Sequence, residues 1–159
     1  MTKNAKKVFL DTNIVIRANV AEAPFHSECL TAVQHLRAVG HELWLSRQVL
    51  REFAAVLTRP QGFVDPRPVA TVVERVRYLQ THFYVTDEGL AVTDKLLELL
   101  LKIAGGGKQV HDTNIVASML VYGITHLVTL NTADFNRFAP FITVWSLEDA
   151  LREPKPEND

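Results

Sequence analysis

Along this chain, short continuous apolar runs trade places with stretches whose apolar residues recur at helical spacing, the pattern of strands and helices in turn. Val8, Phe9 and Leu10 form the first run and suit a strand buried on both faces of a parallel sheet. Asn13 to Ala18 predicts a short helix. Pro24 stands where a helix takes its first proline and opens an apolar-periodic stretch through Val39, closed by Gly40. Leu43 to Leu45 reads as a second strand, and Ser46 as the cap of a helix that runs to Thr58 before Pro60 stops it. In that helix Val49, Leu50, Phe53 and Leu57 define the buried stripe, and Glu52 falls on its edge.

Pro66 and Pro68 introduce a helix carrying Val69, Val72, Val73, Val76 and Leu79, and Phe83 to Val85 returns to an extended pattern. Asp87 is expected to cap the leucine-rich helix Glu88 to Ile103, whose wide apolar face suits core or a subunit contact. The loop Gly105, Gly106, Gly107, Lys108 lacks the GxxxxGK[ST] spacing of a phosphate-binding loop and reads as a connector. Asp112 is expected to open the helix bearing Ile115, Val116, Met119 and Leu120. Leu127 to Leu130 and Ile142 to Trp145 supply further strands, and Ser146 caps a short last helix. The order predicts an α/β fold: one domain over residues 1–152, a mostly parallel central sheet and helices on both faces. Residues 153–159, rich in proline and charge, are expected to form a disordered tail.

Composition narrows this picture. A chain of 159 residues, 47% of them hydrophobic, can bury one sizeable core. The single cysteine, Cys29, excludes an intramolecular disulfide and a cysteine-based metal site, and is expected to be a small buried residue. Only three apolar residues separate the basic N-terminus from Asp11, so the sequence predicts a cytoplasmic protein with no signal peptide and no membrane span. The formal net charge of −1 makes no general case for nucleic acid. Between Arg47 and Arg77, however, six arginines face only Glu52, Asp65 and Glu74, which would make a phosphate-facing surface if Glu52 were neutralised by a metal. An ordinary solvated helix surface fits the same arginines.

The candidate chemistry lies in acids at strand ends. Asp11 follows the first strand, at the side of an open α/β sheet where ligands bind. As the first residue of Asp-Thr-Asn it could equally be a helix cap. The five residues Asp11 to Val15 recur as Asp112 to Val116, without matching flanks. Asn131, Thr132 and Asp134 follow the strand at Leu127. If Asp11, Glu52, Asp112 and Asp134 converge, they cannot all remain ionised without a counter-charge. Oxygen-only donors favour Mg2+ or Mn2+ over Zn2+ for that role.

The motifs FLDTNIVI, SRQVLREFAAVL, HDTNIVASML and LVTLNTADF resemble, in order and approximate spacing, the four acidic motifs of PIN-domain ribonucleases, most closely VapC-type toxins of bacterial toxin–antitoxin pairs. The resemblance spans about Val8 to Leu147. It implies a metal-dependent endoribonuclease with Asp11 and Asp112 as metal ligands, Glu52 as a ligand or water-orienting group, and Asp134 or Asn131 as the fourth. Thr12 or Thr132 would orient a phosphate, and arginines such as Arg47, Arg51 and Arg137 would act locally on RNA. Apart from the resemblance, the segment Arg47 to Arg77 offers Arg47, Arg51, Arg59, Arg67, Arg75 and Arg77 as candidate RNA contacts and Phe63 as a stacking surface. The resemblance also implies a homodimer, and a small antitoxin whose C-terminal segment blocks the site with a basic side chain. Two rivals fit part of the pattern. A haloacid-dehalogenase-like Mg2+-dependent phosphatase needs a second Asp where Asn13 stands. A catalytically silent PIN-like module would bind RNA or protein without cutting.

Overall fold

The computed structural model describes residues 5–60, 62, 65–103 and 106–155. Among them five strands form one parallel sheet: β1 (Lys7–Leu10), β2 (Glu42–Ser46), β3 (Tyr84–Thr86), β4 (His126–Val128) and β5 (Thr143–Trp145), in the spatial order β3-β2-β1-β4-β5. Phe9 is the register point, opposite Trp44 on one side and Leu127 on the other. The α/β architecture expected from the apolar pattern is the one observed.

Two helices, α1 (Thr12–Asn19) and α2 (His26–Ala38), connect β1 to β2, and α3 (Arg47–Leu57) and α4 (Val69–His82) connect β2 to β3. The crossover from β3 to β4 runs the opposite way across the sheet through α5 (Leu90–Lys102) and α6 (Lys108–Val121). Right-handed crossovers therefore place α1 to α4 on one face and α5 with α6 on the other. A 3-10 helix, Thr132–Phe138, follows β4 and packs on α6, and α7 (Leu147–Leu151) ends the fold against α2. Phe9, Phe53, Phe135 and Phe138 are fully buried at the centre. Cys29 is buried as expected; burial pushes its thiol up to about 11, so little reactive thiolate is present near neutral pH. Among the described residues no helix is long and apolar enough to cross a membrane.

Ser46 caps α3 as expected, its hydroxyl accepting from the Val49 amide at 3.2 Å, and Ser146 forms a capping box with Asp149. Three other helix starts differ from the sequence expectation. Helix α2 begins at His26, because Phe25 adopts a left-handed backbone (φ 62°) that separates Pro24 from the helix. Helix α5 begins at Leu90: the Asp87 carboxylate is drawn to Arg47 Nε at 3.1 Å and caps nothing. Helix α6 begins at Lys108, after Gly107 takes the positive φ that glycine tolerates, so Asp112 lies a full turn inside the helix. The leucines of α5 divide: Leu99 is buried, while Leu90, Leu97 and Leu101 stand exposed.

Glu153, assigned from sequence to the tail, is anchored at the amino-terminal end of the central strands, opposite the end where Asp11 sits. Its carboxylate accepts from Lys6 Nζ at 2.7 Å and His41 Nε2 at 2.8 Å, and its carbonyl lies 2.7 Å from His35 Nε2. Residues 156–159 lie outside the described residues. Burial alone would raise the Glu153 carboxyl, but the hydrogen bonds from Lys6 and His41 outweigh it and hold it below the ordinary range. A depressed carboxyl stabilises the fold above its unfolded-state pKa, and that contribution disappears as pH falls through its folded-state pKa. Glu153→Gln is therefore expected to cost about 1–2 kcal/mol in urea unfolding at pH 7 and progressively less at an acidic pH below the ordinary carboxylate range. An equal cost at neutral and acidic pH would assign the effect to shape instead of charge.

Candidate active site

Strand order reverses between β1 and β4, and in open α/β sheets the crevice outside the carboxyl ends at such a reversal receives ligands. Asp11 is the first residue past β1, and Thr129 the first past β4. The Asp11 side chain is buried, with one oxygen accepting from the Thr12 amide at 2.8 Å and the other from the Thr129 hydroxyl at 2.7 Å. The first contact caps α1. The second bridges two strand ends and has no part in capping. Burial raises the carboxyl from 3.8 to about 6, against both hydrogen bonds, and the charges of Asp112 and Glu52 push the same way. A cap in open solvent would shift downward, since the helix N-terminus favours the charged form.

Glu52 reaches this crevice from α3, at the half-buried edge of the Val49, Leu50, Phe53 and Leu57 stripe. Thr12 Oγ1 donates to Glu52 Oε2 at 2.5 Å, so that hydroxyl is committed to a carboxylate. Gln48 Nε2 donates to Glu52 Oε1 at 2.8 Å. Asp112 arrives from α6; its carboxyl is raised first by burial and then by Asp134, with Glu52 adding and Arg137 opposing. Arg137 Nη2 stands 3.9 Å from Asp112 Oδ2, and its Nε is buried with no hydrogen-bond partner among the described residues. Asp134 is exposed in the first turn of the 3-10 helix, and half-buried Thr132 begins that helix. Asn131 is exposed, and its amide donates to Thr129 Oγ1 at 3.1 Å.

Four segments far apart in sequence thus place Asp11, Glu52, Asp112 and Asp134 within electrostatic reach of one or more of the others. Of the outer arginines, Arg51 lines a cavity together with Gln48, Glu52, His111 and Asn114, with its guanidinium turned to an acid outside the cluster. Arg47 pairs with Asp87, Arg51 with Glu88 at 2.8 Å, and Arg59 is exposed just beyond α3. Phe63 lies outside the described residues. Sequence reasoning passed over Gln48, Thr129 and Asn114. Gln48 precedes Glu52 by four residues, the spacing at which helix side chains meet, and Thr129 is the one hydroxyl within an otherwise apolar strand run.

The donors are hard oxygens, suited to Mg2+ or Mn2+. Among the described residues no three acidic, imidazole or thiol groups stand close enough to ligate one ion together. Such a cage is not required, because Mg2+ keeps several waters and takes one or two carboxylates directly. Asp11 and Asp112, whose carboxyls burial and neighbouring acids both raise, are the groups that a bound cation would relieve most.

A family model described as PIN domain matches residues 8–139. No curated protein matches the sequence significantly. Among solved structures, the chain is similar to VapBC2 from Rickettsia felis bound to a DNA fragment from its promoter, with TM-score 0.63, 18% identity, and coverage of 88% of this chain and 98% of that one. It is also similar to the sarcin-ricin loop cleaving toxin VapC20 of Mycobacterium tuberculosis, with TM-score 0.62, 16% identity and coverage of 86% and 96%. A toxin–antitoxin complex from Klebsiella pneumoniae gives TM-score 0.62, 18% identity and coverage of 88% and 97%. At these identities the likeness is one of fold.

Proposed function

The chain belongs to the PIN-domain family, and from that premise we propose that it is a Mg2+- or Mn2+-dependent endoribonuclease, the toxin of a type II toxin–antitoxin pair. The observation that carries this reading is the buried Asp11 carboxyl, lifted to about 6 at the sheet's reversal point beside Glu52 and Asp112. Asp11 and Asp112 would hold the ion, with Glu52 and either Asp134 or Asn131 completing the shell. An ion there supplies polarisation of the scissile phosphodiester and acidification of the attacking water. The chain's own groups do the positioning. Thr129 and the Thr12 amide fix both Asp11 oxygens, and Thr12 and Gln48 fix both Glu52 oxygens. Arg137, whose guanidinium stands 3.9 Å from Asp112 and is partly exposed, has donor capacity for phosphate oxygens, and the Thr132 hydroxyl is a second candidate.

Structural neighbours described as a toxin that cleaves the sarcin-ricin loop and as a toxin–antitoxin complex support an RNA substrate and an antitoxin partner, and the crowded acids lead us to expect a small antitoxin that sets a basic side chain among them. Exposed Leu90, Leu97 and Leu101 on α5 support a homodimer, and the reading places the protein in the cytoplasm. The rival reading, a silent PIN-like binding module, draws on the absence of a three-ligand cluster among the described residues. RNA cleavage by the purified chain, assayed in EDTA and in Mn2+, separates the two. Cleavage only with Mn2+ supports the nuclease, and none in either condition favours the silent module.

Substrate selection should lie outside the acids, since they meet only the phosphate common to all RNA. Arg51 and Arg59 are candidate backbone contacts; Arg51 must leave an exposed ion pair with Glu88 that is worth at most about 1 kcal/mol. Arg51→Ala with Arg59→Ala is expected to weaken RNA binding for all sequences alike and to lower the slope of log affinity against log salt by about 0.7 per contact. An unchanged slope would make these arginines scaffold.

A further inference from the structure

Gln48 is almost completely buried, and both the nitrogen and the oxygen of its carboxamide are hydrogen-bonded. Its Nε2 donates to Glu52 Oε1 at 2.8 Å and to the His111 carbonyl at 3.3 Å, and its Oε1 accepts from Asn114 Nδ2 at 2.9 Å. His111 and Asn114 bracket Asp112 on α6. One uncharged amide therefore ties a carboxylate of α3 to the backbone and side chain on either side of a carboxylate of α6. Its orientation is determined: turned over, it would set oxygen against the Glu52 carboxylate and the His111 carbonyl.

Glu52 needs such a tether. The charges of Asp11 and Asp112 repel it, and three rotatable side-chain bonds would let it swing toward solvent. Thr12 holds one oxygen from α1 and Gln48 the other from α3 with α6 behind it, so the two Asp-Thr-Asn segments meet through this pair of contacts. A lysine at position 48 would compete with a bound cation, and an acid would add to the repulsion; an amide does neither. We infer that Gln48 is a positioning residue that holds Glu52 at its working separation from Asp112 and thereby sets the affinity of the site for its divalent ion. The inference rests on the nuclease reading above. It adds a residue that touches neither ion nor substrate and acts through Glu52, in the way that outer partners of metal ligands tune affinity.

The test is Mn2+ titration by calorimetry, beside RNA cleavage over a range of Mn2+, on the full chain and on Gln48→Met and Asn114→Ala. Methionine keeps the length and apolar volume of Gln48 and removes its donors, and Asn114→Ala releases the Gln48 oxygen without touching Glu52. Thermal melts in metal-free buffer report whether each variant is folded. The Mn2+ dissociation constant is expected to rise about 10-fold or more in Gln48→Met, and less but in the same direction in Asn114→Ala, with cleavage restored by proportionately higher Mn2+. Unchanged Mn2+ affinity in a folded Gln48→Met, or a loss of cleavage that added Mn2+ does not restore, overturns the inference and leaves the nuclease reading standing. If Gln48→Met does not fold, unchanged affinity in Asn114→Ala overturns it. A full chain that neither binds Mn2+ nor cuts RNA defeats both.

Discussion

Asp11→Asn is expected to abolish Mn2+-dependent RNA cleavage, by about 10^3-fold or more, while making the metal-free protein more stable near pH 8. Several kcal/mol of charge stabilisation depend on an ion that Asp11 helps to hold, and each factor of ten in rate corresponds to about 1.4 kcal/mol. The stability gain has a separate origin. The Asp11 carboxyl is buried and raised from 3.8 to about 6, so in the folded protein the ionised form is the disfavoured one. Between those values the folded state holds a proton that the unfolded state has released. Stability from this group is therefore complete below pH 3.8 and is lost as pH rises through 6, a penalty of about 3 kcal/mol at about 1.4 kcal/mol per pH unit.

Asparagine removes that penalty. Its oxygen can still accept from the Thr12 amide, while its amide must meet the Thr129 hydroxyl that now donates to Asp11, at a cost of about 1 kcal/mol. The net gain of about 2 kcal/mol corresponds to a rise of roughly 4–8 °C in melting temperature at pH 8. At pH 5, where the wild-type carboxyl is already mostly protonated, the rise should be much smaller. Melts in EDTA at the two pH values, beside a cleavage assay, decide the matter. A lower melting temperature with cleavage retained would return Asp11 to the role of a helix cap.

The sequence carried the acids more clearly than the helix ends. Val8 to Leu10 and Leu43 to Leu45 read as short strands and are strands, and an acid directly after the first of them lands at the sheet's carboxyl end. Ser46 and Ser146 were legible as caps because each sits between a strand and a helical period, and each makes the expected hydrogen bond. Pro24, Asp87 and Asp112 misled for one shared reason. Each is a good local start signal, but tertiary contacts or backbone conformation took precedence: the left-handed Phe25, the pull of Arg47 on Asp87, and the positive φ of Gly107 a turn ahead of Asp112. The third shift bears on function, since an acid inside α6 cannot be explained as its cap. Gln48 and Thr129 were harder to see, because a lone amide or hydroxyl has meaning only once the carboxylate that it holds has been placed.

Glu52→Gln should separate the two roles open to Glu52, ion ligand and orienter of the attacking water. The substitution suits the fold, because the new amide can offer its oxygen to Gln48 Nε2 and its NH2 to the Thr12 hydroxyl, exchanging which group donates without opening a void. Stability in metal-free buffer should therefore change by no more than about 1 kcal/mol. Glu52→Asp, shorter by one methylene, cannot keep both contacts and serves as the geometric control. As a ligand, Glu52 places a full negative charge beside the ion, and its loss should weaken Mn2+ binding by about 10-fold or more and slow cleavage by about 10^2-fold, with part of the rate returning at high Mn2+. As a water orienter, its loss would leave Mn2+ affinity intact and remove the acid limb of the pH–rate profile instead. The tight double tether from Thr12 and Gln48 favours the ligand role: a proton acceptor is most effective when its oxygens are free to take the proton, whereas a ligand is most effective when it is held still before the ion arrives. Unchanged Mn2+ affinity in a folded Glu52→Gln protein that no longer cuts RNA would remove Glu52 from the ligand set and leave Asp11 and Asp112 to hold the ion.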